Sequence, residues 1–494
     1  MGYPAPGARR TGVRAGLLGT AVVALGLCVA GRAPAQVIPN AQQGGQTPAS
    51  GEPGFTTGLW TRGNLFGDMF GLRTALGRYG ISIGLQATSE VLGNVTGGIH
   101  RGADYDGLTM LSVGLDTAKA FGWRGGTFNI SALQIHGRNL SADNLANLQT
   151  ASGIEAEGAT RLWELWYDQV LLDGRMDVKI GQQSIDQEFM VSQYSGTFIN
   201  TMMGWPAVPS YDLYAGGPAY PLSSLGVRFR GQPTGALTLL GGVFNDNPPG
   251  GPFNDNSQLR QRERYGAQFN TTTGALFIAE IQYAVNRPAT GDMATQGAPP
   301  TGLPGTYKLG AWYDTAGFPD QRFGSDGLSL ADPNSNGNPL LRSHNYSLYG
   351  VVDQMVWRPD PRSPRSIGVF ARMMGAPGDR NLISFSVNAG IVLKAPLPDR
   401  DDDSLGLGFG VVKVSSQAAA LDQDIANFSG SPYPIRSSET FIELTYQYQA
   451  APWWVIQPDF QYVFTPGGGV PNPANPGRRV GNEAILGLRT TITF

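Results

Sequence analysis

From Gly80 to the carboxy terminus, apolar side chains recur at every second position rather than every third or fourth. Ile81, Ile83, Leu85 and Ala87 alternate with Ser82, Gly84, Gln86 and Thr88. Ile383, Phe385, Val387, Ala389, Ile391 and Leu393 alternate with Ser384, Ser386, Asn388 and Gly390, and Ile442, Leu444, Tyr446 and Tyr448 with Glu443, Thr445 and Gln447. In a strand this spacing puts one set on each face, so each strand is apolar on one side and small or polar on the other. No run after residue 30 approaches the roughly 20 apolar residues that a membrane helix needs. Many half-apolar strands leave an apolar face and free edges to be hidden. Closing the sheet into a barrel inside lipid hides both.

The spacing predicts strands at about 81–92, 107–119, 126–137, 161–171, 176–182, 223–230, 236–244 and 274–285. Eight more follow at about 306–315, 344–357, 365–374, 382–396, 404–415, 438–449, 453–464 and 484–494. Sixteen is an even number, as bacterial single-chain barrels require, and Arg264–Asn270 is a candidate for one further short strand. The connections alternate in length. One set is long (93–106, 138–160, 183–222, 245–273, 316–343, 416–437 and 465–483, with 375–381 the exception). The other is mostly tight (172–175, 231–235, 358–364, 397–403 and 450–452, with 286–305 the exception). Long external loops opposite short periplasmic turns are the mark of an outer-membrane barrel, and a soluble sandwich has no reason to show them. Phe494, Ile492, Thr490, Leu488 and Leu486 share the apolar face of a last strand with an aromatic end. The fold class expected is all-β: a transmembrane antiparallel barrel of about sixteen strands with a short N-terminal helix and long external loops.

The amino-terminal residues read as a secretion address. Arg9, Arg10 and Arg14 precede the apolar run Ala15–Ala30, and Ala33-Pro34-Ala35 is a small-residue cleavage site, so cleavage after Ala35 is expected. The expected organisation is a signal peptide at 1–35, a flexible Gln/Gly/Pro/Thr linker at 36–57, a helical segment at 58–80 and a barrel at 81–494. Helical spacing at Leu65, Phe66, Met69, Phe70, Leu72 and Leu76 places that helix near Leu65–Leu76.

Composition excludes several classes. The formal net charge is −3 over 494 residues, and removing the arginine-bearing signal makes it more negative, which argues against a nucleic-acid surface. The single cysteine, Cys28, lies inside the apolar run after the bulky Leu27, so disulfides, thiolate metal sites and a lipoprotein signal are not expected. No zincin, P-loop or nucleophile-elbow motif occurs. Gly406-x-Gly408-x-Gly410 sits in an alternating strand without the helix that a dinucleotide site needs. The three histidines, His100, His136 and His344, lack metal-ligand spacing, and neither cofactor nor metal is expected. The acidic run Asp399–Asp403 reads as a solvated turn rather than a calcium site. A barrel enzyme using His136 as base is the reading from another class.

A polar lumen remains. Glu164, Trp166 and Asp168 share one face of a strand, and Asp177 and Lys179 share the inward face of the next. Arg228, Arg230, Glu280, Lys308, Trp312, Asp314, Arg372, Glu443, Asp459 and Gln461 also point inward by parity. Sugars carry dense hydroxyls and apolar ring faces, so a sugar-passing constriction wants charged donors and acceptors beside an aromatic platform. The 183–222 connection, with Glu188, Trp205, Tyr211, Tyr214 and Tyr220, is too long and too aromatic to float in water and is expected to fold into the lumen. The pore-contact candidates are therefore Glu164, Trp166, Asp168, Asp177, Lys179, Trp205, Arg228, Arg230, Trp312 and Arg372.

Three stretches then carry a resemblance: Gly67-Asp68-Met69-Phe70-Gly71-Leu72-Arg73, Leu162–Gly181 and Gln457–Gly467. In that order, with the Phe494 ending, the chain resembles the OprB-type carbohydrate-selective porins from about Leu59 onward. The resemblance implies a sixteen-stranded outer-membrane barrel that passes glucose and related monosaccharides by diffusion through a selective eyelet. Its partners would be small sugars, outer-membrane lipid and lipopolysaccharide, with no nucleic acid, and either a monomer or a homotrimer. Because arginine greatly outnumbers lysine, a general or anion-biased porin is the alternative.

Overall fold

The computed structural model describes residues 58–251, 263–286 and 302–494. The expected signal at 1–35 and the linker at 36–57 lie outside the described residues. Sixteen strands close into one antiparallel barrel. They are β1 (Ile81–Thr96), β2 (Gly102–Asp116), β3 (Gly126–Gly137), β4 (Ala159–Leu171), β5 (Met176–Gln183) and β6 (Ser224–Gly231). Next come β7 (Leu237–Asn245), β8 (Ala275–Val285), β9 (Gly305–Gly324), β10 (Pro339–Trp357) and β11 (Ser366–Gly375). The last are β12 (Ile383–Lys394), β13 (Ser404–Val414), β14 (Ser438–Ala451), β15 (Trp454–Phe464) and β16 (Glu483–Thr493). Each strand pairs with its neighbours in sequence, and β16 closes on β1 from Gln86 opposite Thr493 to Thr96 opposite Ala484. Closure leaves no edge, so every ladder group is bonded within the wall. Arg264–Asn270 forms no strand.

The alternation is realised as two faces. Leu309, Leu348, Leu444 and Leu488 stand outward and exposed, as lipid-facing residues must, while Glu280, Arg372, Glu443 and Gln461 point inward and are buried. The register shifts in several strand pairs, and one of these shifts bears on the lumen. The β3–β4 register shifts where Ser131 and Ala132 face Glu164 and Leu162, so Trp163 is an extra residue in a bulge. Trp163 and Glu164 both turn inward there.

Four elements differ from their sequence-based expectation. β9 and β10 run to Gly324 and from Pro339, well past the expected ends. Past Tyr313 the outward positions of β9 hold Thr315, Gly317 and Pro319, so no apolar row marks the extension in sequence. The N-terminal helix spans Leu72–Arg78, not Leu65–Leu76. Met69, Phe70 and Gly71 take left-handed φ values of 51°, 58° and 90°, which no helix accommodates, and Phe66 packs on Phe494 with ring centroids 5.2 Å apart. A further helix, Ser416–Ser429, lies in the β13–β14 connection. Its buried face mixes Ala418 and Leu421 with Asp422 and Asp424, which pair with Arg436 and Arg322, so its apolar stripe is interrupted by charge.

Candidate functional site: the lumen and its infolded loops

The connection between β5 and β6 enters the lumen. Phe189, Phe198, Trp205, Leu213 and Tyr220 are buried in it, as a loop of this length and aromatic content requires. Inward charges of the wall hold its backbone. Glu443 accepts from Ile199 N (2.5 Å) and Asn200 N (3.2 Å). Asp353 accepts from Ser192 Oγ (2.6 Å) and Gln193 N (3.1 Å), and Glu280 accepts from Met190 N (2.8 Å). Arg372 donates to four carbonyls of the loop, Met190 O, Met202 O, Met203 O and Gly204 O, at 3.2, 2.6, 2.6 and 2.7 Å. The wall also makes room. A Cβ on Gly406 would meet the Phe198 ring at 2.9 Å, and one on Gly408 would meet Met203 Cε at 2.7 Å. The glycine row of β13 is thus the seat of the loop.

The β3–β4 connection folds in beside it. Glu439 accepts from Leu148 N and Gln149 N, both at 2.7 Å, and Gln461 Nε2 donates to Ala151 O at 2.8 Å. The two loops then bond each other, with Thr201 N donating to Thr150 O (3.1 Å) and Tyr220 Oη to Ile154 O (2.9 Å). Sequence reasoning treated this stretch as an ordinary external loop. Its signal was Leu140, Leu145, Leu148 and Ile154, all buried, in a segment with no strand pattern.

Below the loops, toward the short turns, a cavity of about 720 Å³ remains. Six of the ten candidates line it: Glu164, Trp166, Asp168, Lys179, Arg228 and Arg230. Arg228 is the hub. Its Nε lies 2.7 Å from Glu188 Oε2 and its Nη2 3.7 Å from Asp168 Oδ1, and its Nη1 bonds Asp177. Asp177 stands behind the surface, where it also accepts from Arg230 Nε at 2.5 Å. Lys179 bonds Glu188 and lies 4.5 Å above the Trp166 ring. The other candidates sit elsewhere. Trp205 is buried within the loop, its Nε1 donating to Gly216 O at 3.0 Å. Trp312 is buried in the wall and is not among the residues that line the cavity. Arg372 uses both of its terminal nitrogens to hold the loop. Missed from sequence were Trp163, hidden by the bulge, and Arg73 and Lys119, which come from outside the strands.

The site is densely charged and balanced. Arg73, Lys119, Lys179, Arg228, Arg230 and Lys308 line it together with Asp116, Glu164, Asp168 and Glu188. Just behind, Asp177 bridges two of the arginines, and Glu280 lies 3.9 Å from Lys308. Each cation is therefore matched in number by a carboxylate. Such a wall can exchange hydrogen bonds with hydroxyls at many points while offering no strong attraction to one ion sign.

A family model described as carbohydrate-selective porin, OprB family, matches residues 100–494. This chain belongs to the OprB family. Porin B of Pseudomonas aeruginosa is 26% identical over 422 residues, covering 82% of this chain and 87% of that protein. The high-pH structure of Pseudomonas putida OprB covers 90% of this chain and 100% of its own, with a TM-score of 0.75 at 24% identity. The low-pH structure of the same porin covers 88% of this chain and 99% of its own, at a TM-score of 0.52 and 19% identity. Family and fold together make this a carbohydrate-selective porin of the Gram-negative outer membrane, a channel rather than an enzyme fold.

Proposed function

We propose that the solute path follows the charged wall of the periplasmic-side cavity, and that it serves passive diffusion of glucose and related small sugars into the periplasm. The observation that carries this reading is the grouping of Trp166, Lys179, Glu164, Asp168 and the Arg228–Glu188 pair on one cavity. An indole offers an apolar surface to a sugar ring, and the ion pairs around it can lend hydrogen bonds to hydroxyls as water is shed. Liposome swelling with a panel of sugars tests the function. Trp166→Ala in planar bilayers tests the site: it should weaken current block by glucose, and an unchanged block would move the path elsewhere.

An anion-biased porin is the second reading, because six cations against four carboxylates line the cavity itself. The two carboxylates just behind them, Asp177 and Glu280, favour the neutral-solute reading. A reversal potential near zero in a salt gradient, combined with block by glucose, would decide for the sugar path.

No catalysis is proposed. His136 Nε2 meets Tyr105 Oη at 3.2 Å, and that phenol, not the imidazole, meets Ser89 Oγ at 3.2 Å, so no serine is set against a histidine base there. We further propose outer-membrane lipid and lipopolysaccharide as the surroundings of the exposed apolar band. Export would involve cleavage after Ala35, which amino-terminal sequencing would check by finding Gln36 first.

A further inference from the structure

The Gly67–Arg73 stretch, one of the three that carry the family resemblance, has no part in the barrel wall. Its turn is strained, since Met69 and Phe70 are non-glycine residues held left-handed, at φ 51° and 58°. Asp68 Oδ1 closes it by accepting from Thr74 N at 2.8 Å and Thr74 Oγ1 at 3.0 Å. The helix that follows and the residues flanking it are tied to the barrel at several points. Leu65 N donates to Thr493 O (2.8 Å), Asp116 N to Gly80 O (2.8 Å), and Trp453 Nε1 to Leu59 O (2.7 Å). Arg73 donates to Ile83 O at 2.9 Å and to Phe494 O. This is a fixed element across the β16–β1 seam at the periplasmic end, not a loose tail.

Arg73, Leu76 and Gly77 of this helix line the same cavity as Trp166 and Arg228. The strand pair beneath the helix is kept thin. A Cβ on Gly84 would meet Ser112 Oγ at 2.6 Å, and one on Gly114 would meet Ser82 Oγ at 2.7 Å. Space on that side of the lumen is thus left open by small residues and bounded by the helix, while the charged wall of β4–β6 bounds the other side.

We infer that the N-terminal helix forms the periplasmic exit of the sugar path, with Arg73 and Leu76 as the side chains that set its width and charge. The inference rests on the reading of this cavity as the path. A solute that leaves Arg228 and Arg230 for the periplasm passes between them and the helix.

The test uses the full-length porin in planar bilayers and in swelling liposomes. Leu76→Trp should lower open-channel conductance and slow glucose entry, and Leu76→Ala should raise both. Arg73→Glu should move the reversal potential in a potassium chloride gradient toward cation preference. Because Arg73 also ties the seam, its variant could lower barrel stability, read as the temperature at which the folded electrophoretic band is lost. The Leu76 pair then decides, since its side chain makes none of those ties. If conductance, glucose entry and reversal potential all stay at wild-type values while Trp166→Ala still weakens glucose block, the path avoids the helix and the inference fails alone. If Trp166→Ala is silent as well, the cavity reading fails with it.

Discussion

Leu444 and Glu443 are adjacent in sequence and stand in different solvents, one 47% exposed to lipid and the other 0% exposed beneath the infolded loops. Leu444→Arg should therefore cost about 2–4 kcal/mol near the midplane and impair insertion, seen as loss of folded protein in vesicles. Ser386→Ala, on the inward face of β12 beside lipid-facing Phe385, should insert normally; equal tolerance at both would contradict the assigned faces. Arg372 shows a second kind of inward residue. Its guanidinium satisfies four loop carbonyls, a geometry that a lysine cannot copy. Removing it in Arg372→Met leaves those carbonyls buried without donors, at about 1–3 kcal/mol for each one left unsatisfied. The expected outcome is a noisier channel and greater protease access to the loop, measured by bilayer recording and limited proteolysis, with the barrel itself retained.

At the scale of elements, the external cap and the lumen loops are held by different means. The Ser416–Ser429 helix is clamped to β9 by Asp424, which accepts from Arg322 Nε at 2.7 Å and Nη2 at 3.0 Å, and from Ser329 Oγ at 2.7 Å. The hydrogen bonds from Arg322 hold the Asp424 carboxyl below its ordinary range. Arg380 does the same to Asp379 in the β11–β12 connection. A carboxyl depressed in the folded state contributes stability that is fully present above its unfolded value, about 3.9, and is lost as pH falls through the folded value. The cap should accordingly be protected from proteolysis at neutral pH and loosen only below about pH 4. Asp424→Asn should show the loosened pattern already at neutral pH, and identical digestion of variant and wild type would show the clamp to be inert. The loop between β5 and β6, by contrast, is held by apolar burial and by backbone bonds to the wall, so the Asp424 variant should leave it in place.

For the whole molecule, exterior and periplasmic halves divide the labour. The exterior half is filled by the β3–β4 and β5–β6 connections packed on each other, and the periplasmic half keeps the charged cavity. Shortening 193–216 removes Phe198, Trp205 and three of the four carbonyls that Arg372 holds, and should raise ion conductance and weaken block by glucose. A shortened channel with wild-type conductance and block would mean that the loop does not bound the path. Trp205→Ala alone should act less on block than on the packing of the loop, because that ring is 1% exposed and lines no cavity.

The division between what sequence alone determined and what the tertiary structure decided follows from the range of the forces involved. Period-two alternation is a local demand of a wall between lipid and lumen, so strand number, face and order were legible from residues a few positions apart. Length and aromatic content together betrayed the β5–β6 loop, since so many aromatic residues outside a strand need somewhere to be buried. Which inward charge faces a solute was not legible. Arg228 and Arg372 have the same parity and chemistry, yet one lines the cavity and the other is spent on a loop that enters from about 170 residues away. The bulge that turns Trp163 inward, the bond that fixes Arg73 on Phe494 O, and the Arg322–Asp424 pair that holds the Ser416–Ser429 helix are likewise contacts between distant segments. Parity assigns a side chain to the lumen; only the closed barrel with its loops in place decides what that side chain meets there.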